Sequence, residues 1–154
     1  MRSTPWLTCI AALLISPAAH ADWQYTKWGM TPEQVVAASG GKAALLPAAR
    51  RPRIPPLETA ASGEFQDGAL ELRTAFSFNT DGSGLACVSY GLMSHDGDQA
   101  FKASLIGRYG PPQRTSGLPA IGLQTLSWKT STDEIDANFS KDDPAYVMQC
   151  AKKH

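Results

Sequence analysis

The chain has 154 residues, 14 of them Lys or Arg and 14 Asp or Glu. With no basic excess, it lacks the signature of a domain that grips nucleic acid by displacing counterions from phosphates. The length suits one domain with a real core, because two domains would each be small.

Residues 1–21, MRSTPWLTCIAALLISPAAHA, place one positive charge at Arg2 before an apolar stretch from about Trp6 to Ile15. A Ser16-Pro17 break and Ala19-His20-Ala21 follow, an order that predicts a secretory signal peptide cleaved after Ala21. The apolar stretch is roughly half the ~20 residues needed to span a bilayer, so no membrane span is expected. Cys9 lies too early, inside the apolar stretch, to read as a lipid-modified cysteine. Residues 22–154 are therefore read as a single soluble domain, periplasmic or secreted. Losing the leader removes only Arg2 among the charged residues, which leaves one more acidic than basic side chain.

Trp23, Tyr25 and Trp28 open this domain. They could stack on a sugar or anchor a partner; covering the end of a sheet is the favoured reading. Next comes TKWGMTPEQVVAASGG, residues 26–41. Thr31 is a good N-cap, Pro32 suits the first helical position, and Gln34 completes a capping box. Met30 and Val35 stand where a hydrophobic staple would join them, and Gly40-Gly41 supplies the stop. A helix of about Pro32 to Ser39 is predicted, too short to stand without packing on something larger.

From Lys42 to Gly63 the periodicity fails, and Arg50-Arg51-Pro52-Arg53-Ile54-Pro55-Pro56 is too proline-rich for a helix or a central strand, so an extended surface loop is expected. Leu70, Leu72, Phe76 and Phe78 then alternate with Glu71, Arg73, Ala75 and Ser77, the period of a half-buried strand. Asn79 to Gly84 turns the chain, and Leu85 to Leu92 is the partner strand of a hairpin. A second helix is predicted from about Gln99 to Tyr109, capped by Asp98, with Phe101, Leu105 and Tyr109 on one face, ended by Gly110-Pro111-Pro112. After a loop through Gly122, three short strands are expected at Thr125 to Thr130, Ile135 to Ser140 and Tyr146 to Ala151, with acidic turns between them. Trp128, in step with Leu126, is assigned to the core.

The fold class expected from this order is α+β: an antiparallel sheet of about five short strands with two helices packed on one face. The order also hints faintly at two half-copies of a helix-plus-hairpin unit.

Export decides how the cysteines are read. Cys9 leaves with the leader, and Cys87 and Cys150 remain as an even pair where disulfides persist, so they are predicted to be bonded. A closed loop of that length stabilises by about 4 kcal/mol in the chain-entropy model. A redox or nucleophilic thiol is the lesser alternative, since no Cys-x-x-Cys occurs.

Gly29-Met30-Thr31-Pro32-Glu33-Gln34-Val35, with Gly40 and the later Tyr109-Gly110-Pro111, resembles small exported bacterial α+β proteins. Outer-membrane-assembly lipoproteins and beta-lactamase-inhibitor proteins have a similar Gly-x-Thr-x-x-x-Val phrase opening a short helix. The resemblance implies a non-enzymatic module that grips another envelope or secreted protein through a sheet or loops. It covers about twenty residues and assigns no binding residue.

Several clusters could carry chemistry. Asn79, Asp81, Ser83 and Gly84 match the start of a calcium loop, yet its twelfth position is Tyr90 instead of a bidentate carboxylate, so a hairpin turn is favoured. Ser94-His95-Asp96 holds the residue types of a nucleophilic triad, but triads are assembled across a fold and no Gly-x-Ser-x-Gly elbow occurs. His95 is the only histidine beyond residue 21 besides His154, which disfavours a histidine metal site. Asp133-Glu134 and Asp142-Asp143 fall in predicted turns, without a cleft to separate their pKa values. Arg50, Arg51 and Arg53 offer guanidinium forks on a proline-stiffened loop. An ordinary solvated loop remains the stronger reading of them, but any recognition surface is expected there, with Trp28 nearby.

The reading is an exported binding or interaction module of the cell envelope, with no metal and no cofactor expected. The alternative is a small periplasmic hydrolase using His95.

Overall fold

A computed structural model describes residues 23–152; the expected leader lies outside them. Helix α1 (Pro32–Ala38) starts as its sequence dictates. The Thr31 hydroxyl accepts the Gln34 N–H at 3.3 Å, and the Gln34 side-chain carbonyl accepts the Thr31 N–H at 2.9 Å. Seven residues bury only Val35, so packing rather than propensity holds the helix.

Strands follow as β1 (Ala43–Leu45), β2 (Arg53–Ile54), β3 (Leu57–Asp67), β4 (Leu70–Asn79) and β5 (Gly84–Leu92). Helix α2 (Asp98–Tyr109) then leads to β6 (Arg114–Leu118), β7 (Leu123–Lys129), β8 (Asp133–Phe139) and β9 (Tyr146–Ala151). All pairings are antiparallel, and the order is β1-β3-β4-β5-β9-β8-β7-β6 with β2 also on β3. The chain thus builds inward from the β1 edge to β5, crosses over through α2 to the β6 edge, and returns inward with β9 beside β5.

This corrects the expected α+β class of about five short strands with two helices packed on one face. Among the described residues the molecule is mostly sheet: nine strands in one antiparallel sheet, and two α-helices. The additional strands come from stretches read as loops. Residues 42–63 show no alternation because β1 and β3 are built from small residues there, and the register shifts between Thr59 and Ala61. That bulge leaves both Ala60 and Ala61 buried, which erases the two-residue period. Strand β6 is exposed at all five positions, so it carries no burial pattern at all.

A continuous row crosses the sheet on its core face: Ala61, Phe76, Val88, Gln149, Ile135 and Trp128, each paired with the next. All six are buried. Five are apolar or aromatic, and burying a side chain of Phe, Val or Ile size contributes about 1.5–3 kcal/mol. Gln149 is the polar exception. Trp23 packs edge-on against Phe65 and Phe76 at 5.3 and 5.8 Å between ring centroids, and Phe101 of α2 meets Tyr90 at 6.1 Å. Val35, Phe101 and Leu105 join the same core.

Cys87 and Cys150 are cross-strand partners on β5 and β9, and they form a disulfide. Among the described residues no helix is long and apolar enough to cross a membrane.

Candidate functional site

The buried Gln149 marks the polar centre of the molecule. It occupies an inward position of β9 in step with Val147, so the alternation of that strand aims an amide into the core. Its amide nitrogen donates to Asp133 Oδ2 at 3.3 Å, and its carbonyl accepts the Tyr109 hydroxyl at 3.2 Å. Asp133, the first residue of β8, is 1% exposed. Trp28 Nε1 donates to its Oδ1 at 2.7 Å, and the Thr130 hydroxyl donates to Oδ2 at 3.4 Å. Burial raises the Asp133 pKa, and hydrogen bonds from Trp28, Gln149, Thr132 and Thr130 hold it down in part.

These groups line one wall of an open cleft of about 450 Å3, bounded by Trp23, Gln24, Arg108, Tyr109, Thr130, Asp133 and Gln149. Tyr109 and Arg108 come from the last turn of α2, where a cation suits the helix dipole. Arg108 Nη2 donates to Asp67 Oδ2 at 2.9 Å. Burial works against the Arg108 charge, but Tyr109, Tyr90 and Asp67 outweigh it and its pKa is raised. Burial also pushes the neighbouring Tyr90 hydroxyl far above its ordinary value. Gln24 takes φ 51°, a left-handed conformation that costs a non-glycine residue roughly 1–2 kcal/mol. Beside it, Trp23 is 3% exposed, yet its indole N–H has no hydrogen-bond partner among the described residues.

The residues singled out in the sequence fall in different places. Arg51 and Arg53 both turn to Glu58 on β3, Arg53 through Nε and Nη2 at 3.2 and 2.8 Å and Arg51 through Nη1 at 3.8 Å. Arg51 Nε also donates to the Leu46 carbonyl at 3.0 Å, and Arg50 is exposed. Trp28 is directed to Asp133 on β8, and no hydrogen bond or ion pair among the described residues joins it to the arginines.

His95 is exposed, and its Nδ1 meets Asp98 Oδ2 at 3.0 Å, which raises the imidazole pKa. Asp98 Oδ1 accepts the Ala145 N–H at 3.0 Å, and the cap position of α2 is Gly97 rather than the expected Asp98. Among the described residues the hydrogen bonds of His95 reach no serine nucleophile.

Asp133 and Glu134 are both strand residues instead of turn residues, and they sit on opposite faces of β8. Glu134 is exposed, and Lys129 Nζ donates to it at 2.8 Å and lowers its pKa, so the two carboxylates do not act on one site. Asp142 and Asp143 donate their backbone N–H groups to the Ser140 hydroxyl, forming a turn. Asp81 accepts both the N–H and the hydroxyl of Ser83, closing the hairpin turn on itself.

No family profile matches the chain, and no curated protein matches it. Among solved structures it is similar to YjgB, a DUF4309 family protein from Bacillus subtilis subsp. subtilis str. 168. The identity is 17%, the match covers 79% of this chain and 78% of that one, and the TM-score is 0.47.

Reading the sequence alone missed Arg108 and Gln149. Their signal was present but local: a polar residue in phase with the apolar positions of the last strand, and a basic residue beside the aromatic end of α2.

Proposed function

We propose that the chain is an exported binding module of the cell envelope and that it takes a small polar ligand into the cleft between Trp23, Arg108 and Gln149. The observation that carries this reading is the Arg108 guanidinium, partly exposed and held by Asp67 in the wall of an open cleft. It stands beside the Tyr109 hydroxyl and the exposed Gln24, the few convergent polar groups that binding sites share. Export is supported by the leader pattern and by the Cys87–Cys150 disulfide, which belongs in an oxidising compartment.

The test is to incubate the chain from Asp22 onward with periplasmic extract, wash it, and identify what it releases by mass spectrometry. A small solute should be carried by the unaltered protein and by an Arg50→Ala, Arg51→Ala, Arg53→Ala triple variant, and be lost from Arg108→Gln. Recovery of no small solute, or equal recovery by Arg108→Gln, would overturn the reading. A protein captured by the unaltered chain and lost from the triple variant would instead locate recognition in the arginine loop.

A further inference from the structure

The chemistry of the cleft narrows its ligand, and this inference rests on the reading above. We infer that the ligand is a small organic carboxylate whose oxygens share the Arg108 guanidinium with Asp67.

Three observations combine. Among the described residues Arg108 is the one cation lining the cleft, and its planar fork has five N–H donors, one of which, on Nη2, goes to Asp67. Its side chain is 35% exposed and that of Asp67 32%, so solutes can reach the pair. Among the described residues the one carboxylate in the lining, Asp133, already receives Trp28 on Oδ1 and Gln149 and Thr130 on Oδ2. It offers a ligand cation no vacant oxygen of comparable quality. The charged recognition capacity left open in the cleft is therefore the Arg108 guanidinium, beside the neutral amide of Gln24, and a guanidinium selects an oxyanion.

Charge decides between oxyanions. Asp67 touches Arg108 and Asp133 stands in the same wall, so a phosphate dianion would face two carboxylates for one guanidinium. A carboxylate carries half that charge and matches the fork in the plane. The ligand body then lies against the partly exposed Tyr109 ring.

Asp67 becomes an internal competitor. It sits where β3 ends, holds the guanidinium in place in the empty cleft, and must share it once a ligand arrives. Removing its charge is thus expected to tighten binding, a direction opposite to the usual result of deleting a site residue.

The probes are acetate, succinate, glutamate and benzoate, each beside its neutral amide, with inorganic phosphate as a further arm, read by calorimetry and tryptophan fluorescence. At least one carboxylate should bind more tightly than its amide and than phosphate. Arg108→Gln should weaken it about ten- to hundredfold, the worth of a charge-assisted hydrogen bond. Asp67→Asn should strengthen it several-fold. Circular dichroism melts keep loss of fold separate from loss of binding, and Arg108→Lys, which keeps the charge without the fork, should fall between. Amides that bind as well as acids, phosphate that binds best, or an Asp67→Asn variant that binds more weakly would overturn the carboxylate inference while the cleft stands. If no probe binds and no solute is recovered from extract, the cleft reading falls with it.

Discussion

Trp28 Nε1 donates to Asp133 Oδ1 at 2.7 Å across 105 residues of sequence. The bond ties the segment ahead of α1 to the start of β8, and it satisfies a carboxylate that burial would otherwise leave costly. It also fixes one wall of the cleft, since Asp133 in turn holds Gln149 and Gln149 holds Tyr109.

Trp28→Phe keeps most of the ring and removes the donor. It is expected to destabilise the fold by about 1–3 kcal/mol and to raise the Asp133 pKa further, because a hydrogen bond that lowers it is gone. Urea unfolding and carboxyl NMR titration measure the two effects. An unchanged Asp133 pKa would show that the indole does not serve the carboxylate in solution.

The raised Asp133 pKa has a defined consequence for stability. The folded state binds this proton more tightly than the unfolded chain, whose carboxyl titrates near the ordinary 3.8. Its contribution to stability therefore diminishes as pH rises from that value through the raised folded value. Asp133→Asn removes this slope, although Asp81 and Glu134, whose pKa values are lowered, produce the opposite slope in both proteins. The difference in unfolding free energy between variant and unaltered protein should thus shift in favour of the variant as pH rises. A difference independent of pH would refute the assignment.

His95 titrates in the other sense. Its hydrogen bond to Asp98 raises the folded pKa above 6.5, so the pair contributes fully below that value and the contribution is lost as pH rises through the folded pKa. In Asp98→Asn the amide oxygen can still accept the Ala145 N–H, so α2 should stay docked while the His95 pKa drops toward its ordinary value. NMR titration of the His95 ring reads this directly, and an unmoved pKa would mean that Asp98 is not its partner in solution.

How much of this was legible in the sequence depended on where each stretch buries its side chains. The capping box of α1 and the alternation of Leu72, Phe76 and Phe78 were readable because one local rule determines each. Strand β3 was hidden by a bulge and by Ala60, Ala61 and Gly63, whose small side chains carry no hydrophobic rhythm. Strand β6 was hidden because an edge strand exposed on both faces has no pattern to show. The cleft drew its residues from the N-terminal segment, α2, β8 and β9, and only the sheet order brings those together. The pairing of Arg51 and Arg53 was not legible because their partner, Glu58, lay in a strand the sequence concealed.

The disulfide bridges the two strands that join the first half of the sheet to the second, closing a loop with a sequence separation of 63. Cys87→Ser with Cys150→Ser is expected to cost about 4 kcal/mol in the chain-entropy model. Unfolding of the unaltered protein under reducing conditions should reproduce that loss. Equal stability with and without reductant would mean that the β5–β9 seam is held without the bond.

Two glycines give the sheet edge a decisive control. A Cβ on Gly63 would collide with the Lys42 carbonyl oxygen, which also accepts the Glu64 N–H at 3.1 Å, so β1 lies against β3 too closely for any larger residue. Gly63→Ala should force the two strands apart and cost roughly 1–3 kcal/mol, as overpacking does. Gly107 lies inside α2 with open space where its Cβ would stand. There the same substitution should stabilise by about 0.5–1 kcal/mol, through helix propensity and reduced freedom of the unfolded chain. Chemical unfolding of both variants settles the matter, because opposite signs are expected from one chemical change. A neutral Gly63→Ala would mean that the chain at Lys42 and Ala43 does not lie this close to β3.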